Sequence, residues 1–244
     1  MEEFFKEQID SLPRPKSFKP GPPSSWSMIP VNQRILYLDK LQNFLNKYKH
    51  ISSSSEVPEE AIEELGDNDI IQRPSAVNVV LLMTDDGNEI DSLLLMKRSM
   101  NVSHHKGQIS FPGGMREEAD SSFTETSLRE TQEEIGVEPE RFQVIGELNK
   151  VSTRSRLNLI TPIVTIANKE ITGQLSINKG EVEHIHIVKI DELLKPDKYY
   201  CEIWDLGDIA VAIHMFSVKD ANNEPVFIWG ATAQIIVDML RCLN

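Results

Sequence analysis

The stretch "FPGGMREEADSSFTETSLRETQEEIGV", Phe111 to Val137, sets seven acidic residues against two arginines, Arg116 and Arg129, behind a Pro-Gly-Gly turn. Residues 122–135 read as a helix that Gly136 is suited to stop. Successive helical residues turn by about 100°, so positions i, i+3 and i+4 share a face. Glu130, Glu133 and Glu134 have this spacing. Leu128 and Ile135, with Thr131 nearby, fall on the opposite side and pack inward. Like charges so placed destabilise an isolated helix by a few tenths of a kcal/mol per pair. A hard divalent cation removes that repulsion, and Mg²⁺ and Mn²⁺ prefer oxygen ligands. The Gly113-Gly114 pair lets the backbone approach a ligand with no Cβ between. Gly113 can thus aim its carbonyl at a metal, and Gly114 can leave room for a phosphate. The competing reading is a solvated acidic face. The turn in front and the Arg129-Glu130 pair favour the metal.

Outward from this stretch the texture is that of an α+β domain. "AVNVVLLMT" and "DSLLLMKR" flank the turn "DDGNE" and predict a β-hairpin. "QISF" is a short strand entering the turn. "FQVIGELNKVST", "LNLITPIVTIA", "VEHIHIVKI", "AVAIHMFSV" and "PVFIW" read as further strands, "IDELL" as a helical turn and "ATAQIIVDMLRCL" as a closing helix. Trp229 reads as a core aromatic under that last helix. The expected architecture is a mixed sheet with helices on its faces. Residues 1 to about 25, with "PRPKSFKPGPPSS", read as irregular. "NQRILYLDKLQNFLNKYKH" (32–50) has one apolar helical face, and the polar stretch after it reads as a linker with a short acidic helix. The expected division is therefore an N-terminal extension, 1–72, and a main domain, 73–244, with the extension offering a docking element or a homodimer arm.

The formal net charge of −13 repels phosphate backbones and anionic lipid, which disfavours nucleic acid as a main partner. An acidic chain that handles an anionic substrate needs a metal cation or a local basic patch. Cys201 and Cys242 lack metal-ligand spacing and read as reduced structural residues. No apolar run reaches the roughly 18 residues of a membrane span. No secretory, transit or peroxisomal signal is visible, so a cytoplasmic location is the default expectation.

Gly114, Asp120 and then "LRETQEEIGV" resemble the Nudix box: Gly, five residues, Glu, seven residues, then Arg-Glu-apolar-x-Glu-Glu-x-Gly-apolar. Asp120 stands where the pattern has Glu, the gap from Asp120 to Arg129 is eight residues, and Thr131 occupies an apolar position. The resemblance implies the Nudix fold, a central mixed sheet between helices, and hydrolysis of a nucleoside diphosphate linked to another group. It implies Glu130, Glu133 and Glu134 as metal ligands and Arg129 as the arginine that orients a glutamate by ion pairing. The general base is less fixed; the candidates are Glu133 and Glu181 of "KGEVEHIHIV". A metal neutralises the diphosphate and lowers the pKa of bound water, while a carboxylate takes the proton.

"LLLMKRSMNVSHHKGQISFPGG" further resembles the signature of the coenzyme A pyrophosphatase branch, through Leu94, Leu95, Arg98, Ser99, Gly107 and Phe111 to Gly114. The branch implies a Mg²⁺- or Mn²⁺-dependent cleavage of coenzyme A or an acyl-CoA to 3′,5′-ADP and (acyl) 4′-phosphopantetheine. Ser103 stands where the branch has an arginine; Lys106 can supply that charge. Arg98 is either a phosphate ligand or a partner for a box glutamate. Arg154 and Arg156 are phosphate candidates on a loop. The rival expectations are a Nudix hydrolase for ADP-ribose, a dinucleotide or capped RNA, and a nucleotide-binding module without catalysis. Members of the branch are often peroxisomal or mitochondrial, so the resemblance allows either address.

Overall fold

The computed structural model describes residues 2–28, 38–52, 73–84, 89–152, 158–207 and 209–241. The chain runs through helix α1 (Glu2–Asp10), strand β1 (Phe18–Pro20) and helix α2 (Leu38–Ser52) into β2 (Arg73–Met83) and β3 (Ile90–Arg98). Two short strands follow, β4 (Ile109–Ser110) and β5 (Gly113–Met115), then helix α3 (Phe123–Ile135). Next come β6 (Gln143–Glu147), β7 (Val151–Ser152), β8 (Asn158–Asn168), β9 (Val182–Lys189) and the one-turn helix α4 (Ile190–Leu193). The chain closes with β10 (Tyr199–Asp205), β11 (Ala210–Lys219), β12 (Pro225–Trp229) and helix α5 (Gly230–Leu240).

The central sheet is mixed. Its spine is the parallel pair of β2 and β8, in register from Arg73 opposite Asn158 to Met83 opposite Asn168. β2 and β3 pair only at one end, over Leu81–Met83 and Ile90–Leu93. At the other end they fork. β4 pairs with β3 (Met96 opposite Ser110) and β5 pairs with β2 (Val77 opposite Gly113). The Phe111-Pro112 step crosses the fork, and Asn78 N–H donates to the Pro112 carbonyl at 2.8 Å. The Pro-Gly-Gly turn is thus the crossing point between two strands. Gly113 has φ 149°, and a Cβ there would stand 2.3 Å from the Ala76 carbonyl oxygen.

Alternation along the strands gives the sheet two buried faces, each covered by helix. Val80, Leu82 and Leu94 pack with Ile135, Val137, Phe142 and Ile171 on the side of α3. Val79, Leu81, Leu93 and Leu95 join a larger core with α5 and parts of α2. Burial on both faces explains the unbroken apolar runs of β2 and β3. Each fully buried Val or Leu contributes roughly 1.5–3 kcal/mol against exposure.

A second, antiparallel sheet, β1-β10-β11-β12, was not foreseen. It corrects the reading of residues 1–25 as irregular. The Pro-rich stretch is not helical, but it supplies edge strand β1, with Phe18 opposite Trp204. Ahead of it α1 forms because Phe4, Phe5 and Ile9 have an apolar surface to cover, beside Trp204, Met215 and Phe227. Phe5 lies 4.2 Å from Tyr200, ring centre to ring centre, and Arg14 binds both carboxylate oxygens of Glu202 at 3.0 and 2.5 Å. Trp229 belongs to this α1-side cluster rather than lying under α5. The periodicity at 32–50 is a helix from Leu38 onward, whose Leu41 and Leu45 enter the core; 29–37, the linker at 53–72 and the turn at 85–88 lie outside the described residues. Cys201 is a free thiol and half-buried; Cys242 lies outside the described residues. Among the described residues no helix is long and apolar enough to cross a membrane.

Candidate active site

Helix α3 begins where Ser122 Oγ accepts the Glu125 N–H at 3.1 Å and stops at Gly136, which takes the left-handed conformation (φ 71°). Its inward side is Thr126, Thr131 and Ile135, all buried. Thr131, the polar residue at an apolar position of the box, has a partner. Its hydroxyl accepts from Asn78 Nδ2 at 3.1 Å and donates to the Ser127 carbonyl at 2.6 Å, while Asn78 Oδ1 accepts from Thr165 at 2.6 Å.

Of the three box glutamates, Glu130 and Glu134 turn toward the β5 turn and Glu133 sits at the rim. Glu134 is 2% exposed; its Oε2 accepts the Gly113 N–H at 2.8 Å and its Oε1 lies 3.6 Å from Arg98 Nη1. A Cβ on Gly114 would meet the Glu130 carboxylate at 2.3–2.5 Å, so only glycine leaves that carboxylate its place. Burial pushes Glu134 up to about 8; the Gly113 N–H and Arg98 oppose the shift, and the charges of Glu130 and Glu181 add to it. Burial likewise raises Glu130, against Arg129, with Glu133 and Glu181 adding repulsion. Glu181 thus stands within electrostatic reach of both. Its backbone carbonyl accepts from Ser99 N–H at 2.7 Å, which fastens the start of β9 to the end of β3.

Arg129 is held by Asp120 through two hydrogen bonds of 3.0 Å each, Nε to Oδ1 and Nη2 to Oδ2. The same guanidinium reaches Glu130 at 3.1 Å, Glu133 at 3.2 Å and the Met115 carbonyl at 3.2 Å. Asp120 is buried and also accepts from Glu117 N–H and Thr126 Oγ1, both at 2.9 Å. The Arg129 fork holds Asp120 well below the usual carboxylate range despite its burial, and Asp120 in turn raises Arg129. In the sequence Asp120 is only a departure from the box; its role as the anchor of Arg129 emerges from the fold. The nine-residue separation hid its partner, because the loop before α3 folds back onto the helix.

Arg98 Nη1 stands 3.6 Å from Glu134 Oε1 at the edge of the carboxylate cluster. Lys106 is exposed in the turn between β3 and β4, as is Ser103. That turn is tied back to β3 by Gly107 N–H to the Arg98 carbonyl at 3.1 Å. Arg154 and Arg156 lie outside the described residues. The carboxylates fit a divalent cation: an all-oxygen set suits a hard ion, and burial raises the pKa of the two most buried members, a cost that a cation offsets.

The NUDIX domain family profile matches residues 72–202. Nudix hydrolase 3 of Caenorhabditis elegans is 42% identical over 182 residues, covering 70% of this chain and 74% of that protein. Nudix hydrolase 22, chloroplastic, of Arabidopsis thaliana is 29% identical over 231 residues, covering 92% and 74%. Among solved structures, a MutT/nudix family protein from Enterococcus faecalis is 16% identical with a TM-score of 0.42, covering 83% of this chain and 72% of that one. The chain belongs to the Nudix family. It is a hydrolase of pyrophosphate bonds in nucleoside diphosphate derivatives, of a family that works with divalent metals.

Proposed function

We propose that this chain hydrolyses the diphosphate of coenzyme A or an acyl-CoA to 3′,5′-ADP and (acyl) 4′-phosphopantetheine, with Mg²⁺ or Mn²⁺ as its cation. The observation that carries this reading is where the branch signature folds. Both ends of the segment from Arg98 to Gly114 meet the carboxylate cluster: Arg98 faces Glu134, the Gly113 N–H binds Glu134, and Gly114 makes room for Glu130.

In this reading Glu130, Glu133 and Glu134 hold the cation, with the Gly113 carbonyl as a further oxygen. When bound, the cation neutralises the diphosphate and lowers the pKa of coordinated water. Arg129, locked by Asp120, keeps Glu130 and Glu133 in place. Glu133 is engaged by Arg129, whereas the Glu181 carboxylate makes no ion pair among the described residues, so Glu181 accepts the proton of the attacking water. Arg98, Lys106, Arg154 and Arg156 receive the phosphates. Lys106 takes the part that Ser103 cannot.

The test is turnover by the purified chain on coenzyme A, acetyl-CoA, ADP-ribose, NADH and capped RNA, with Mg²⁺, Mn²⁺ or chelator. Release of 3′,5′-ADP from coenzyme A at the highest kcat/KM, lost with chelator, is the expected result. Glu134→Gln is expected to lower kcat by about 10²–10³-fold. Higher kcat/KM on ADP-ribose, a dinucleotide or a cap would replace the coenzyme A reading. Nucleotide binding with no turnover on any of these would leave a binding module.

A further inference from the structure

On the sheet face away from α3, β9 carries His184 and His186, two residues apart and therefore on one side of the strand. Ile185 and Ile187, between and beyond them, face the α3 side. The tip of the β11–β12 hairpin lies against this edge strand, with Ala221 N–H donating to the Ile187 carbonyl at 2.8 Å. His186 Nδ1 stands 2.9 Å from Asp220 Oδ2. His184 Nε2 stands 3.8 Å from Glu224 Oε2, and the two imidazole rings are 4.7 Å apart. One donor atom from each of His184, His186, Asp220 and Glu224 lies within 4.8 Å of the others.

We propose that these four residues form a second metal site, for a transition ion of the zinc class, that clamps the hairpin of the second sheet to the edge of the central one. Donor chemistry sets the ion. Two imidazoles and two carboxylates suit zinc, which takes His nitrogen and carboxylate oxygen at about 2.0–2.2 Å. Imidazole is a poor ligand for Mg²⁺, so this site and the all-oxygen site on α3 select different metals.

The geometry points the same way. A separation of 3.8 Å is too long for a hydrogen bond. Two ligand atoms of one tetrahedral ion stand about 3.4 Å apart at those bond lengths. His184 and Glu224, with side chains 44% and 57% exposed, are free to close the remaining gap.

His184 shows why an ion is needed. Although nearly half of its side chain is exposed, its Nε2 atom is buried and has no hydrogen-bond partner. Nε2 is turned away from solvent without a partner, the reverse of what hydration favours. Leaving a buried polar atom unsatisfied costs roughly 1–3 kcal/mol, and a cation among these donors removes that cost.

The hairpin is built to hold its share of the ligands. Asp220 Oδ1 accepts the N–H groups of Asn222 at 2.8 Å and Glu224 at 3.0 Å. Burial raises the Asp220 carboxyl, but His186 and these N–H groups outweigh it and keep the carboxylate charged.

The test is zinc titration of the full chain, stripped of metal, by calorimetry in excess Mg²⁺, with thermal melts alongside. The expected result is one saturable zinc per chain and a higher Tm with zinc. His184→Ala and Glu224→Gln, at partly exposed positions, are each expected to weaken zinc binding by about 10-fold or more, and Glu130→Gln to leave it unchanged. No saturable zinc in the wild type overturns the proposal. So does zinc binding that survives both hairpin-site substitutions but falls with Glu130→Gln, which would put the ion on α3.

Discussion

Gly114 lies so close to Glu130 that a methyl group in its place would stand 2.3 Å from the carboxylate carbon. Glu130 therefore has its position by virtue of a missing side chain on β5. Gly114→Ala is expected to push Glu130 away from Glu134 while leaving the buried side of α3 untouched. A displacement of about 1 Å at such a site lowers kcat by about 100-fold. Activity against Mg²⁺ concentration, set beside a thermal melt, checks this: catalysis falls and metal demand rises while Tm stays near wild type.

Glu134 predicts how stability and metal affinity depend on pH. In the metal-free chain burial raises it from 4.5 to about 8. Between those values the folded state holds a proton that the unfolded state has lost. Metal-free stability therefore falls as pH rises from 4.5 toward 8, by up to about 1.4 kcal/mol per unit for one proton. A cation favours the ionised form, so divalent-ion affinity rises with pH over the same window, by up to about tenfold per unit. Calorimetric Mg²⁺ titrations and melts at several pH values measure both slopes. Glu134→Gln is expected to flatten the stability slope and weaken binding throughout.

The helix and its carboxylates were legible because their signal is local. A spacing of three and four residues puts Glu130, Glu133 and Glu134 near one another whatever the rest of the chain does. The glycines of the turn were legible for the same reason, though not that Gly114 serves Glu130 and Gly113 N–H serves Glu134. The strands of the central sheet followed from their apolar runs. The fork that separates β2 from β3 did not, since it depends on β5 reaching a strand some forty positions earlier. Helix α1 was missed because its helicity depends on burial against Tyr200 and Phe227, residues of a sheet the sequence reading had not assembled. The His184–Glu224 pair was hidden for the same cause: it joins elements that only the folded topology brings together.

Asp120 and Arg129 carry the next prediction. Their two 3.0 Å bonds fix the guanidinium that reaches Glu130 and Glu133. Asp120→Ala leaves Arg129 short of its main partner and is expected to cost about 2–3 kcal/mol, less than a fully buried pair because Arg129 is 23% exposed. Asp120 is depressed below its ordinary 3.8. Its stabilisation is thus complete above that pH and is lost as acid protonates it below. Acid titration of the fold is expected to show a drop below about pH 4 that Asp120→Asn lacks. Arg129→Lys is expected to rescue little, because an ammonium cannot make the paired contact.

The buried chain Thr165–Asn78–Thr131 ties the box helix to the two central strands by polar contacts in an otherwise apolar layer. Thr131→Val keeps the volume but removes the acceptor for Asn78 Nδ2, and the orphaned donor is expected to cost about 1–3 kcal/mol. Replacing Thr131, Asn78 and Thr165 together by valine removes every member at once. No donor is then stranded, so the triple variant is expected to be more stable than the sum of the single losses. Denaturant melts of the singles and the triple measure this. Additive losses would mean that the three residues act independently through packing. Because Thr131 lies one residue beyond Glu130, Thr131→Val is also expected to raise the Mg²⁺ concentration for half-maximal activity. The triple variant, with α3 seated on a closed apolar surface, is expected to bring it back toward wild type.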